Sequence, residues 1–181
     1  MPIVPTTFVE PGDELRPPDR SFVVKPAISA GGRSSARFEP DEADTARALV
    51  ARIHAEGRTA MVQPFLGGEK ETALVYLDGS FSHALRRRVP LPASGDREVF
   101  FLDEELAQGE ATAEQRAVAE AALPDDLLYG RVDLMGGLVL ELEVAEPSLY
   151  LGFGEGAAAR FAAAISDRLR ISPEKGRTTN R

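Results

Sequence analysis

The amino-acid sequence predicts an α+β fold with mainly antiparallel sheets, on three observations. Asp78-Gly79 and Gly136-Gly137 are two-residue hairpin signals, each set between runs of strand-forming residues. Ala46, Leu49, Val50 and Ile53 fall at i, i+3, i+4 and i+7, the apolar stripe of a helix over residues 40–57. The 181 residues, 43% of them apolar, suffice for one ordinary domain or two small lobes sharing a core.

Along the chain, residues 1–20 hold five of the thirteen prolines and read as an extended segment laid over another part of the molecule. Residues 21–26, Ser-Phe-Val-Val-Lys-Pro, form a β-branched strand, residues 29–35 a glycine- and serine-rich turn, and residues 36–38 a returning strand. Pro40 suits a first helical turn and Gly57 a C-terminal stop. Residues 59–65 give a strand and Gly67-Gly68 a break; residues 71–77 and 80–85 flank Asp78-Gly79. Thr112 and Gln115 make a capping box for a helix over residues 112–123, which stops before Pro124. Residues 130–135 and 138–144 flank Gly136-Gly137, and a last helix over residues 156–170 carries Phe161, Ile165 and Leu169 on one stripe. Residues 171–181 are polar and expected to fray.

Composition excludes several classes of function. A formal charge of −8 argues against nucleic acid or an anionic membrane as the main partner. No apolar run approaches the ~18 residues of a membrane span. The first residues show neither the basic nor the apolar part of a signal peptide, so a cytoplasmic protein is expected. With no cysteine, disulfides, zinc–thiolate sites and cysteine nucleophiles fall away together. Only His54 and His83 remain, too few for a histidine-rich metal site. His83 reads as structural, since no Ser-His-Asp or Cys-His arrangement accompanies it, and His54 as a surface residue.

The global charge hides a segregation. Residues 21–38 contain Lys25, Arg33 and Arg37 and no acid, and Arg86-Arg87-Arg88 closes the Asp78-Gly79 hairpin. Residues 132–159 contain Asp133, Glu141, Glu143, Glu146 and Glu155 and no base. A basic, glycine-rich strand–turn–strand beside an acidic hairpin suits a metal–polyphosphate site: cations and turn amides meet phosphate oxygens, and carboxylates hold the metal. Glu141 and Glu143 alternate with Leu140, Leu142 and Val144, which puts both carboxylates on one strand face with Cα atoms ~7 Å apart. Asp133, across the turn, is placed to join them. Three carboxylates without histidine or cysteine point to Mg²⁺ or Mn²⁺; a solvated sheet face is the other reading of the same residues. Lys25 likewise reads as a phosphate ligand or as an outward strand residue. The turn at residues 29–35 is neither a Walker A loop nor a dinucleotide fingerprint.

Taken in order, Phe22-Val-Val-Lys-Pro-Ala-Ile-Ser-Ala-Gly-Gly32, Val62-Gln-Pro-Phe-Leu66, Glu71-Thr-Ala-Leu-Val-Tyr, Phe81-Ser-His-Ala-Leu-Arg86, Arg131-Val-Asp133 and Leu140-Glu-Leu-Glu-Val-Ala-Glu-Pro147 resemble the ATP-grasp superfamily. The similarity is strongest to its glutathione synthetase-like and D-alanine–D-alanine ligase-like carboxylate–amine ligases, and it covers residues 3–165. It implies two lobes around a nucleotide cleft: an N-lobe at residues 21–66 and a C-lobe with the metal hairpin at residues 67–170, flanked by the extended segment 1–20 and the tail 171–181. It also implies residue roles. Lys25 and Arg86 would meet the ATP phosphates under a mobile flap that includes Ser29, Gly31, Gly32 and Ser34. The backbone of Gln63, Pro64, Phe65 and Leu66 would read adenine, and Glu71 the ribose hydroxyls. Arg131 would act with Lys25 in catalysis, steadying the charge of an acyl phosphate. Asp133, Glu141 and Glu143 would bind Mg²⁺ (or Mn²⁺), with Glu143 standing where the family usually has asparagine.

The implied activity is an ATP- and Mg²⁺-dependent ligation of a small carboxylate to an amine or thiol, releasing ADP. Family members normally carry an α/β domain ahead of the segment matching residues 2–8, together with one more phosphate lysine. The alternative is therefore an ATP-binding module that is non-catalytic, or that works with a separate chain or by self-association.

Overall fold

The computed structural model describes residues 1–29, 33–67, 71–88, 91 and 105–171. They form two compact units, one of residues 2–71 with 87–107, the other of residue 1, 72–86 and 108–181. The division falls at residue 71, and of the segment that follows β6 the described residues 87, 88, 91 and 105–107 go with the first unit. The tail expected at residues 171–181 lies, beyond residue 171, outside the described residues. Among the described residues no helix is long and apolar enough to cross a membrane.

In the first unit β1 (Thr7–Val9), β2 (Phe22–Pro26), β3 (Ala36–Phe38) and β4 (Ala60–Pro64) form a sheet in the order β1-β4-β2-β3, each pair antiparallel. Strand alternation assigns the faces. Phe22, Val24, Ala36, Phe38, Ala60 and Val62 turn inward onto Ala46, Leu49, Val50 and Ile53 of α1 (Ala43–Ala55), the stripe that its period predicts. The Phe22 and Phe38 rings meet at 5.7 Å between centroids, within the range of favourable aromatic pairs. Val23, Lys25, Arg37, Met61 and Gln63 occupy the opposite face, because Val23 opposes Arg37 and Gln63 while Lys25 opposes Met61. The proline-rich segment is thus not merely laid over the fold; it supplies the edge strand β1. His54 is only half exposed and bonds the Val9 carbonyl at 2.9 Å, tying α1 to β1, where the sequence suggests a surface residue.

The second sheet runs β7-β6-β5-β8-β9, from β5 (Glu71–Leu77), β6 (Ser80–Arg88), β7 (Glu105–Gly109), β8 (Tyr129–Met135) and β9 (Leu138–Glu143). Both predicted hairpin turns are present. Asp78 and Gly79 have φ of 50° and 71°, and Gly136 and Gly137 57° and 78°, the paired positive values of a type I′ turn. β7 has no sequence signal, since Glu, Ala, Gln and Gly are poor strand formers; pairing with β6 imposes the conformation. Two helices complete the unit, α2 (Ala113–Glu120) and α3 (Ala157–Ile171). The Thr112–Gln115 capping box starts α2, with reciprocal bonds of 2.9 and 3.2 Å. Leu74, Tyr76, Ala84, Ala119, Val132, Leu134 and Val139 make the core.

The β8–β9 register contains one irregularity. Arg131 opposes Glu143, Val132 opposes Leu142 and Asp133 opposes Glu141, but Leu134 opposes Val139. Leu140 is therefore an extra residue on β9, a bulge. Strict alternation would put residues 139, 141 and 143 on one face. The bulge breaks the parity, so Val139 turns into the core while Glu141 and Glu143 turn to the other face with Arg131 and Asp133.

Beyond β9, residues 145–150 form a strap held by its carbonyls. Tyr129 Oη donates to Ala145 O at 3.0 Å, Arg131 Nη1 to Ser148 O at 3.2 Å, and His83 Nε2 to Leu149 O at 3.0 Å. That last bond puts the proton on Nε2, so Nδ1 accepts from Ser82 Oγ at 3.0 Å, and Ser82 Oγ in turn accepts from Arg160 Nη2 at 2.9 Å. The strap ends at Tyr150, left-handed with φ 46°. Gly154 follows because a Cβ there would lie 2.6 Å from His83 Nδ1.

Burial disfavours the imidazolium and lowers the His83 pKa; the Leu149 and Tyr150 backbone oxygens oppose the shift, and Arg160 adds to it. A lowered folded-state pKa makes neutral His83 stabilising above its unfolded pKa of about 6.5, and that stability is lost as pH falls below this value. Urea unfolding at pH 7.5 and 5.5 should therefore show a loss of stability in acid that shrinks in His83→Gln; an equal loss in both proteins would contradict the assignment. Deleting Leu140 should remove the bulge and leave every face unchanged, since Val139 and Glu141 then become consecutive and still point opposite ways. The fold should therefore survive both this deletion and Leu140→Ala in the same assay; a loss of about 3 kcal/mol or more on deletion, as from a carboxylate driven into the core, would contradict the register.

Candidate functional site

The bulged hairpin brings Asp133, Glu141 and Glu143 together, with one carboxylate oxygen of each lying within 4.8 Å of the others. Among the described residues no other three histidine or acidic side chains meet this way. Asp133 is 1% exposed and Glu141 is exposed, so the cluster runs from the protein interior to solvent. A buried carboxylate needs a counter-charge, and Arg131 supplies it. Arg131 is 3% exposed; its Nε and Nη2 donate to the two Asp133 oxygens at 2.9 and 3.0 Å. Nη2 also donates to Glu143 Oε1 at 2.7 Å, and the guanidinium lies 5.5 Å from the Tyr150 ring centroid.

Three carboxylates against one guanidinium leave the cluster with a net charge of −2 when all are ionised. Oxygen-only donors in this number and spacing fit a hard divalent cation, Mg²⁺ or Mn²⁺, better than a soft metal. The three metal ligands expected from sequence thus come together, and Arg131 lies among them. Arg86, on the same unit, is exposed.

In the first unit the other predicted residues are distributed as follows. Lys25 is half-buried on the face opposite α1, alongside Val23. Ser29 Oγ donates to Arg33 O at 3.0 Å, and Ser34 is left-handed with φ 57°. Gly31 and Gly32 lie outside the described residues. Gln63 is 6% exposed and its amide donates to Thr6 Oγ1 at 2.9 Å, so its side chain is already engaged. Pro64 closes β4 opposite Phe22, and the Phe65 N–H donates to Ser21 O at 2.9 Å, which removes that amide from any ligand. The Phe65 ring carries the Arg37 guanidinium at 4.2 Å, and Leu66 is half-buried. Glu71 is 7% exposed, with Arg87 Nη1 3.2 Å from its carboxylate. Sequence reasoning missed Arg87 as this partner. The triple-arginine run gave the signal, since along a strand alternate members face opposite ways and only Arg87 turns to Glu71.

A cavity of about 480 Å³ opens beside Ser82, His83, Gly154 and Arg160, at the strap network.

No family model matches the chain. It is 37% identical over 197 aligned residues to a cycloserine biosynthesis protein, DcsG, of Streptomyces lavendulae, covering 94% of this chain and 66% of that protein. The crystal structure of D-cycloserine synthetase DcsG superposes with a TM-score of 0.79 at 36% identity, over 93% of this chain and 65% of the other. D-Alanine–D-alanine ligase of Bacillus anthracis shares the fold with a TM-score of 0.66 at 17% identity, over 97% and 64% of the two chains. The chain thus spans just under two thirds of the length of these relatives, and the part it matches is their ATP-grasp region. With two antiparallel sheets, the ordered motifs and these matches in agreement, the chain belongs to the ATP-grasp superfamily.

Proposed function

We propose that this chain is an ATP- and Mg²⁺-dependent ligase module that joins a small carboxylate to an amine (or thiol) through an acyl phosphate. One observation carries the reading: three carboxylates and a buried arginine converge on one hairpin face in an ATP-grasp chain. The relatives are a D-cycloserine synthetase and a D-alanine–D-alanine ligase, the latter also crystallised with ATP, which favours ligation chemistry.

In this chemistry a substrate carboxylate oxygen attacks the γ-phosphorus, ADP leaves, and the amine nitrogen then displaces phosphate from the acyl carbon. The protein supplies position and charge. Asp133, Glu141 and Glu143 would hold Mg²⁺, which neutralises phosphate oxygens. Lys25 and Arg86 would take phosphate charge directly, with Ser29 and Ser34 in the flap, and Arg131 would face the acyl phosphate. Glu71, positioned by Arg87, would accept from the ribose hydroxyls, and the backbone of residues 63–66 other than the Phe65 N–H would meet adenine. A second reading, a nucleotide-binding module that needs another chain for turnover, is favoured by the third of the relatives' length that this chain does not match. ADP release by the purified chain across a panel of amino acids separates the two.

Calorimetry should show ATP binding that depends on Mg²⁺, with Glu141→Gln removing most of that dependence while the circular dichroism spectrum is unchanged. Equal affinity in EDTA would overturn the metal assignment. Lys25→Ala should weaken ATP at least tenfold, a charge-assisted contact being worth about 1.5–3 kcal/mol, and leave AMP nearly unaffected. An equal loss for both nucleotides would make Lys25 a structural residue.

A further inference from the structure

We propose that the cavity beside the strap is a binding site for a small zwitterion, an α-amino acid with an apolar side chain. Its volume of about 480 Å³ lies within the range of small-molecule sites, and its walls all belong to the second unit. None of the three proposed metal ligands lines it.

The cavity wall carries two arginines in a state unusual for this chain. Elsewhere Arg37, Arg47, Arg58, Arg88 and Arg168 each meet a carboxylate, as a formal charge of −8 leads one to expect. Among the described residues Arg116 and Arg160 form no ion pair, and neutral groups hold them instead. The Arg116 guanidinium lies 5.3 Å from the Phe81 ring centroid, a cation–π distance. Arg160 donates from Nη1 to the backbone oxygen of Glu155 at 2.7 Å and from Nη2 to Ser82 Oγ at 2.9 Å. Ring, carbonyl and hydroxyl thus fix both cations at the wall without neutralising them. A guanidinium already held in place takes a carboxylate through paired N–H bonds at little cost in ordering.

Two acids, Glu110 and Glu155, line the same cavity, and among the described residues neither forms an ion pair. They disfavour a simple anion, which would meet like charges, and they offer acceptors to an ammonium group. Phe81 and Phe153 supply apolar surface. A molecule with a carboxylate and an ammonium on one carbon, and an apolar side chain beside them, answers all six side chains at once.

The test is calorimetry on the full chain with phenylalanine, without nucleotide or Mg²⁺. Phenylalaninamide, which lacks the carboxylate, and hydrocinnamate, which lacks the ammonium, are the controls. Phenylalanine should bind, and each control should bind more weakly by about tenfold or more, the loss of one charge-assisted contact. Arg116→Gln and Arg160→Gln should each weaken phenylalanine by a similar factor while the circular dichroism spectrum stays unchanged. No binding at millimolar phenylalanine, or equal binding of the three compounds, would overturn the proposal whatever the variants do. Binding that appears only with Mg²⁺ and ATP would place the amino acid at the metal hairpin, overturning this site and leaving the ligase reading intact. Phenylalanine binding by a chain with no affinity for ATP would uphold this site and count against the ligase reading.

Discussion

The second unit is organised around the burial of Asp133 beside Arg131. A carboxylate at 1% exposure has no water to solvate it, so a bidentate guanidinium is a condition of the fold and not an addition to it. The guanidinium then needs its own remaining donors satisfied, and Ser148 O and Glu143 satisfy them. That chain of needs fixes the strap on one side and the end of β9 on the other. Removing one member of such a pair costs about 3–5 kcal/mol, because the survivor is left as a buried charge.

Much of this was legible in the sequence, in part for an incomplete reason. Alternation of Glu141 and Glu143 with leucines placed both carboxylates on one face, and the Gly136-Gly137 turn placed Asp133 opposite. The same alternation, followed one step back, would put Val139 beside them, and only the bulge at Leu140 sends it to the core. A bulge has no residue signature here, so register had to come from packing. The strap was illegible for a related reason: its anchors, Tyr129, Arg131 and His83, lie 16, 17 and 66 residues away from their carbonyls. His83 reads from sequence as structural, yet no local pattern tells what it holds.

In the first unit, local patterns did better because each element is short and its partners are near. The i, i+3, i+4, i+7 stripe of α1 is the buried face, and the Phe22–Val24 alternation is the sheet's inner face. What escaped was long-range polar pairing: Gln63 with Thr6, His54 with Val9, Glu71 with Arg87. The order of the short motifs along the chain specified the family more firmly than any single motif, and the fold itself is shared at 17% identity. Chemistry constrains a few positions and their sequence order, while packing leaves most others free to drift.

Among the described residues β9 is also the outer strand of its sheet, and Leu142 within it and Val144 just past it are 39% and 37% exposed. An apolar, unpaired strand invites another chain to add on and seed aggregation. The bulge at Leu140 interrupts the regular ladder such a chain would need, and Glu141 and Glu143 set like charges against any second copy arriving in register. The residues proposed for the metal thus also guard solubility. Neutralising them, whether by substitution or by saturating cation, weakens the guard at the strand where it is needed most.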